Sequence, residues 1–226
     1  PPHHTAATGE ACVAESESWD RISDTAFSLV LPRSHTCIWA MTSDAGSGGT
    51  GARPGKDGLS ATAFPSGVRN VPVEVTEAIS PLVVWRKEFR ADSGGAGLHR
   101  GGLGQTMELG LLEDAPFAFS ALFDRIEHPP RGRDGGGDGA GGGIRLSSGP
   151  ALNGKGTQTI PKGERVTIDM PGGGGLGAPE TRDAALVAAD VRAGLVSADV
   201  ARDQYRVVVT PSGDLDAAAT DKLRED

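Results

Sequence analysis

Over the first two thirds of this 226-residue chain the apolar positions come in short runs that favour strands over helices. Val71-Pro72-Val73-Glu74-Val75 alternates with period two, which predicts a strand with its valines on one side of the pleat. Pro81-Leu82-Val83-Val84-Trp85 and the runs 105–112 and 117–123 predict three more, separated by turn-forming residues. Val166, Ile168 and Met170 alternate with Arg165, Thr167 and Asp169 within 163–170, the clearest strand pattern present. Upstream, neither period holds for long, and Phe27-Ser28-Leu29-Val30-Leu31 and Cys37-Ile38-Trp39-Ala40-Met41 are read as two strands.

After Pro179 the period changes. Ala184, Val187, Ala188, Val191 and Leu195 recur at helical spacing, Thr181 or Asp183 can cap the start, and Gly194 sits where the helix should end. Ser197 then offers an N-cap for a second short helix, with Asp199 in its first turn and Val200, Ala201 and Tyr205 on its apolar face. A strand at 206–209 follows, and the polar, acidic tail 210–226 is expected to be loosely held. The expected fold class is α+β: a β-rich module with glycine-rich loops and two short C-terminal helices.

The 34 glycines change this picture, because 25 of them fall in four stretches, 46–58, 94–104, 132–143 and 172–177. Such clusters build tight turns and close backbone approaches. Three of the four carry Arg, Asp, His or Pro and abut apolar segments, which predicts ordered loops. The stretch 134–143 has no large apolar anchor and reads equally well as mobile.

Hydrophobic residues make up 37 %, and the glycines bring the chain up to the usual globular content, so it can bury a core. The net charge of −8 argues against nucleic-acid binding, which needs a basic surface. No apolar run approaches the roughly 18 residues of a membrane span. Cys12 and Cys37 do not make a disulfide framework, so reduced thiols and a cytoplasmic location are expected. The opening Pro1-Pro2-His3-His4 has neither Met nor an apolar signal core and reads as a fragment or processed subunit.

Familiar chemistry is sparse. Residues 46–51 and 172–177 both match G-x-G-x-x-G. The first leads into Arg53-Pro54-Gly55-Lys56-Asp57-Gly58, which is turn chemistry rather than the helix a dinucleotide site needs. The second lies between a strand and a helix, but Pro171 and Pro179 intervene and the required acidic residue is missing, so a packed turn is the better reading. His3, His4, His35, His99 and His128 have no partners at metal-ligand spacing, and no G-x-S-x-G elbow marks a nucleophile. Arg53, Asp57, Arg69, Asp92, Arg100, Asp124, Arg125, Glu127 and Arg131 sit in or beside Gly/Pro loops, where charges either pin the loops or line a site. Pinning is the favoured reading.

Longer motifs are more specific. Residues 48–58 (Gly48-Gly49-Thr50-Gly51-Ala52-Arg53-Pro54-Gly55-Lys56-Asp57-Gly58), then Arg69-Asn70-Val71-Pro72-Val73-Glu74, then Asp92-Ser93-Gly94-Gly95-Ala96-Gly97-Leu98-His99-Arg100-Gly101-Gly102-Leu103-Gly104 resemble the hydantoinase B/oxoprolinase family. Phe123-Asp124-Arg125-Ile126-Glu127-His128-Pro129-Pro130-Arg131-Gly132, the glycine run after Pro171, and Asp190-Val191-Arg192-Ala193-Gly194-Leu195-Val196-Ser197 are similar to its closing segments. On this resemblance 48–209 is the family module, preceded by a poorly matching 1–47 and followed by the tail 210–226.

The resemblance implies an ATP-dependent amidohydrolase subunit acting on cyclic amides such as hydantoins or 5-oxoproline. ATP would be handled by an A-type partner subunit with an actin-like ATPase fold, which activates the substrate oxygen by phosphorylation. A divalent metal is implied, with ligands not on this chain, since the family's Asp/His-rich motifs have no counterpart here. A further chain would then supply the missing half of the B-type subunit. ATP-dependent ketone carboxylases belong to the same superfamily, and a non-catalytic scaffold is the third alternative. The candidate site residues are Arg53, Asp57, Arg69, Glu74, Asp92 and Arg100, facing the active site or the interface with the missing half; arginines there could hold a phosphorylated intermediate by bidentate contacts.

Overall fold

The computed structural model describes residues 25–30, 37–38, 47–62 and 72–225. Among the described residues eight strands form two four-stranded antiparallel sheets. The first, in spatial order β2-β1-β5-β7, contains β1 (Thr25–Val30), β2 (Cys37–Ile38), β5 (Phe117–Phe123) and β7 (Lys155–Ile160). The second, in order β3-β4-β8-β6, contains β3 (Leu82–Phe89), β4 (Gln105–Leu111), β8 (Val166–Asp169) and β6 (Gly143–Leu146). Register follows side-chain alternation. Phe117 pairs with Ile160 and Met107 with Ile168, so apolar positions share the face toward the other sheet.

One core lies between the sheets. Phe117, Phe119, Ala121 and Phe123 alternate inward along β5 and meet Leu82, Met107, Leu109, Ile144, Val166 and Ile168. A second core joins Ala96 of a glycine loop to Val187, Val196, Ala201, Tyr205 and Val207 beneath the C-terminal helices.

The two expected helices are present. α2 (Ala184–Arg192) starts on Asp183, whose side chain accepts from the Ala185 N–H, and is followed by Gly194 at φ +70°. α3 (Ala198–Tyr205) starts on Ser197, whose hydroxyl accepts from the Val200 N–H at 3.2 Å. Asp183→Ala or Ser197→Ala should each cost about 1 kcal/mol. Urea unfolding would show this as a lower midpoint at an unchanged slope.

Three expectations need correction, and one left open is decided. Residues 73–79 form not a strand but helix α1 (Val73–Ile79). Pro72, at φ −57°, suits the helix entry, and Val73, Thr76 and Ser80 are the half-buried positions, at helical spacing. The tail is not loose: α4 (Ala217–Glu225) buries Thr220, and Arg224 donates to the carbonyls of Arg182 and Tyr205. Residues 206–209 form no ladder and make an isolated bridge between Val209 and Leu215. The stretch 134–143 is held by backbone hydrogen bonds, among them Gly137 N–H to Ala96 O at 2.7 Å and Ala140 N–H to Ser93 O at 2.8 Å. The parts of the expected upstream strands at Leu31 and 39–41 lie outside the described residues.

Candidate functional site

The glycine stretches, far apart in sequence, converge on one another. Gly173 donates to Gly102 O and accepts from Gly95 N–H, both at 2.8 Å, while Gly102 donates to Thr50 O at 2.9 Å. Gly49 donates to Pro171 O at 2.9 Å and Gly172 to Ala140 O at 3.0 Å. The backbones approach so closely that a Cβ on Gly172 would lie 1.7 Å from Ser93 O, and one on Gly173 would lie 1.9 Å from Thr50 O. Here glycine permits contact between backbones with no side chain between them.

The bundle presents a basic rim. Ala52 N–H donates to Gly174 O at 2.9 Å and Arg133 N–H to Gly175 O at 3.0 Å, and a Cβ on Gly174 would meet Arg131 O at 2.2 Å. The segments carrying Arg53, Arg131 and Arg133 therefore flank the same three residues, 174–176. His99 bridges Leu176, and its Nε2 accepts from Gly55 N–H at 3.1 Å, which ties the Arg53 turn to the rim. Arg53, Arg131 and Arg133 are exposed, and their guanidinium groups form no ion pair among the described residues. These three arginines, without ion pairs, stand on segments that flank one stretch of backbone in a chain whose net charge is −8, where an anion would find donors.

Behind the rim lies a buried ion cluster. Arg182 donates bidentately to Asp57, with both contacts at 2.7 Å, and to Asp190 at 3.0 Å; Arg100 Nε reaches Asp190 at 3.3 Å. Asp57 also accepts from Arg100 N–H at 2.8 Å. Burial pushes the Asp57 carboxyl up, but the hydrogen bonds and charge of Arg182, with the amide of Arg100, outweigh it and hold the group below its ordinary 3.8. Burial likewise opposes the charge on Arg182, and Asp57 and Asp190 raise its pKa above the usual arginine value in spite of it. Burial pushes the neighbouring Tyr205 phenol up to about 12, so it stays neutral.

The six candidate residues thus have different surroundings. Arg53 is exposed on the rim, whereas Asp57 and Arg100 belong to the buried cluster. Asp92, at φ +59°, accepts from Ser197 N–H at 2.7 Å and tethers the start of α3. Glu74 is exposed in the first turn of α1, away from these contacts, and Arg69 lies outside the described residues. Arg133 and Arg182 were not singled out by the sequence, and Asp190 entered only as the first residue of a family-like segment. Arg182 is 125 residues from Asp57, and no local pattern marks a pair so distant.

Among the described residues no three His, Cys, Asp or Glu side chains form a group that could hold a metal ion. A nucleotide phosphate does not fit the 172–177 loop either. The N–H groups of Gly172, Gly173, Gly175, Leu176 and Gly177 already donate to backbone carbonyls and cannot cradle an anion.

Two antiparallel sheets and a backbone-packed glycine bundle, with exposed arginines beside it, are thus the frame of this chain. The Hydantoinase B/oxoprolinase model matches residues 5–179, and the chain belongs to that family. It is 37 % identical over 163 residues to caprolactamase subunit beta of Pseudomonas jessenii, covering 66 % of this chain and 27 % of that subunit. It is 36 % identical over 135 residues to 5-oxoprolinase 1 of Arabidopsis thaliana, covering 58 % of this chain and 10 % of that protein. The crystal structure of the ATP-dependent caprolactamase from Pseudomonas jessenii superposes with a TM-score of 0.75 at 29 % identity, over 94 % of this chain and 40 % of that one. Acetone carboxylase shares the fold, with a TM-score of 0.63 at 20 % identity over 94 % of this chain and 34 % of that one. The chain spans under a third of the length of the curated relatives it matches.

Proposed function

We propose that this chain is one part of an ATP-dependent hydrolase that opens cyclic amides, working with an A-type ATPase subunit and with the remaining portion of the B-type fold. The observation that carries this reading is the likeness to an ATP-dependent caprolactamase over 94 % of the chain. An unactivated lactam resists water because amide resonance weakens its carbonyl as an electrophile. In this reading the oxygen is phosphorylated on the partner, and the module meets an anionic phosphate ester.

We assign Arg53, with Arg131 and Arg133, to contact with that anion, since all three are exposed and unpaired and can donate in bidentate fashion. Asp57, Arg100 and Asp92 are assigned to holding the loops that carry the rim, and Glu74 and Arg69 to the interface with the remaining portion. A divalent metal, where the complete enzyme uses one, is assigned to residues outside those described. The likeness to acetone carboxylase carries the fold and no chemistry.

The test is ATP-dependent opening of hydantoin, 5-oxoproline and caprolactam by the assembled complex. Loss of a charge-assisted contact from Arg53→Ala should lower turnover roughly tenfold to a hundredfold with assembly intact. Arg53→Lys should restore part of that loss. Absence of ATP-dependent ring opening would overturn the hydrolase reading, and unchanged turnover in Arg53→Ala would favour a scaffold role.

A further inference from the structure

The second sheet ends on β3, and its outer side carries apolar side chains that the described residues leave exposed. Trp85 lies at a break in register between Val84 and Arg86 and is 48 % exposed, and Leu112, just past β4, is 77 % exposed. Together they line a groove of about 180 Å³ whose wall includes the fully buried Phe117, so the groove opens onto the main core. A space of that size admits one large side chain. Arg165 stacks over the Trp85 ring at 4.9 Å and is itself held by Glu108 at 2.7 Å, which fixes the indole without covering the groove. Glu113, Asp114 and Glu164 stand around it, Asp114 paired with Lys162 at 2.8 Å and Glu164 accepting from Ser147 and Ser148, so the surround stays acidic on balance beside the exposed Trp85 and Leu112. Pre-positioned aromatics inside a polar rim are what association surfaces place at their centres.

We propose that this groove seats the part of the B-type fold that lies outside these 226 residues, which enters it with an apolar side chain flanked by basic ones. The occupant follows from the coverage. This chain matches 40 % of the caprolactamase chain while using 94 % of itself, so most of that chain lies outside the match and must pack on something. Permanent interfaces are the more hydrophobic ones, and here Trp85 and Leu112 expose apolar side chains next to the buried Phe117 of the core. The complementary charge follows from the acidic rim. The inference rests on the proposed function only in taking the chain as part of a larger family assembly.

The test places the photocrosslinker p-benzoylphenylalanine at Trp85 of the full chain in its source cells, and at exposed Leu186 of α2 as control. Mass spectrometry then identifies the joined peptide. The expected result is a Trp85 cross-link, absent from the Leu186 control, to hydantoinase B-family sequence outside residues 1–226, whether on the same or another polypeptide. Leu112→Asp should reduce that cross-link at least tenfold with an unchanged circular dichroism spectrum. A cross-link to a second copy, to another part of residues 1–226, to the ATPase subunit, to an unrelated protein, or no cross-link would each overturn the proposal. An assembly that opens no ring yet gives the expected cross-link would keep this inference and discard the hydrolase reading.

Discussion

Gly173→Ala is expected to abolish cooperative folding of this chain, because the new methyl group would lie 1.9 Å from Thr50 O and 2.2 Å from Thr50 C. Side chains relieve crowding by changing rotamer, but these obstacles are backbone atoms. Thr50 O already accepts from Gly102 N–H, and Gly173 is itself bonded on both sides, to Gly102 and Gly95. Relief would have to move several segments at once. Ordinary overpacking costs about 1–3 kcal/mol, and this case should exceed about 4, which approaches the whole stability of a typical domain. Gly143→Ala is the matched control, since nothing lies within 4 Å of its Cβ direction and its φ is not in the left-handed region, so it should stay within about 0.5 kcal/mol. Gly194→Ala should fall between, at about 1 kcal/mol, because it has space but sits at φ +70°. Thermal unfolding followed by circular dichroism reads all three. A Gly173→Ala protein that melts within a few degrees of the parent would refute the backbone-packed bundle.

The same bundle marks where the sequence could be read and where it could not. Strands such as β5 and β8 were legible because one face meets a core and the other does not, so burial writes an alternation into the residue types. The helices α2 and α3 were legible through their caps, Asp183 and Ser197, which act within three residues. At 71–75 the alternation covered only three valines, too few to separate a period of 2 from one of 3.6, and tertiary packing of Val73 and Thr76 decided for helix. The stretch 134–143 resembled a flexible linker because its order comes from hydrogen bonds between backbones, which leave no trace in hydrophobicity. Long motifs identified the family, yet they could not distinguish Arg53, whose guanidinium is unpaired, from Arg100, committed to Asp190. That difference depends on Arg182 and Asp190, which come from elements remote in sequence.

Those remote partners set the second large effect. Arg182 is 4 % exposed and bonds Asp57 and Asp190 together, so Arg182→Gln would leave two carboxylates facing each other without their shared cation. Removing one member of a buried pair typically costs 3–5 kcal/mol, and because Asp57 retains 34 % exposure the lower end, about 3 kcal/mol, is expected here. Asp57→Asn should cost less, since Asp190 would still pair with both arginines. The pH dependence separates this ionic effect from simple loss of packing. Asp57 has a folded-state pKa depressed below 3.8, so the stability it contributes is fully present above about pH 4 and is lost as pH falls through the lower folded value. The parent should therefore lose stability as pH falls below about 3.8 and through the lower folded value, whereas Arg182→Gln, already without the pair, should start lower at pH 7 and show a shallower decline. Parallel acid profiles would mean that Arg182 acts through packing alone. Because Asp57 directly follows the turn that Arg53 and Lys56 close, and Arg182 also donates to Leu98 O beside the rim residue His99, the same substitution should loosen the basic rim. In the assembled complex, Arg182→Gln should then lower turnover through Arg53, and combining it with Arg53→Ala should cost less than the sum of the two separate losses.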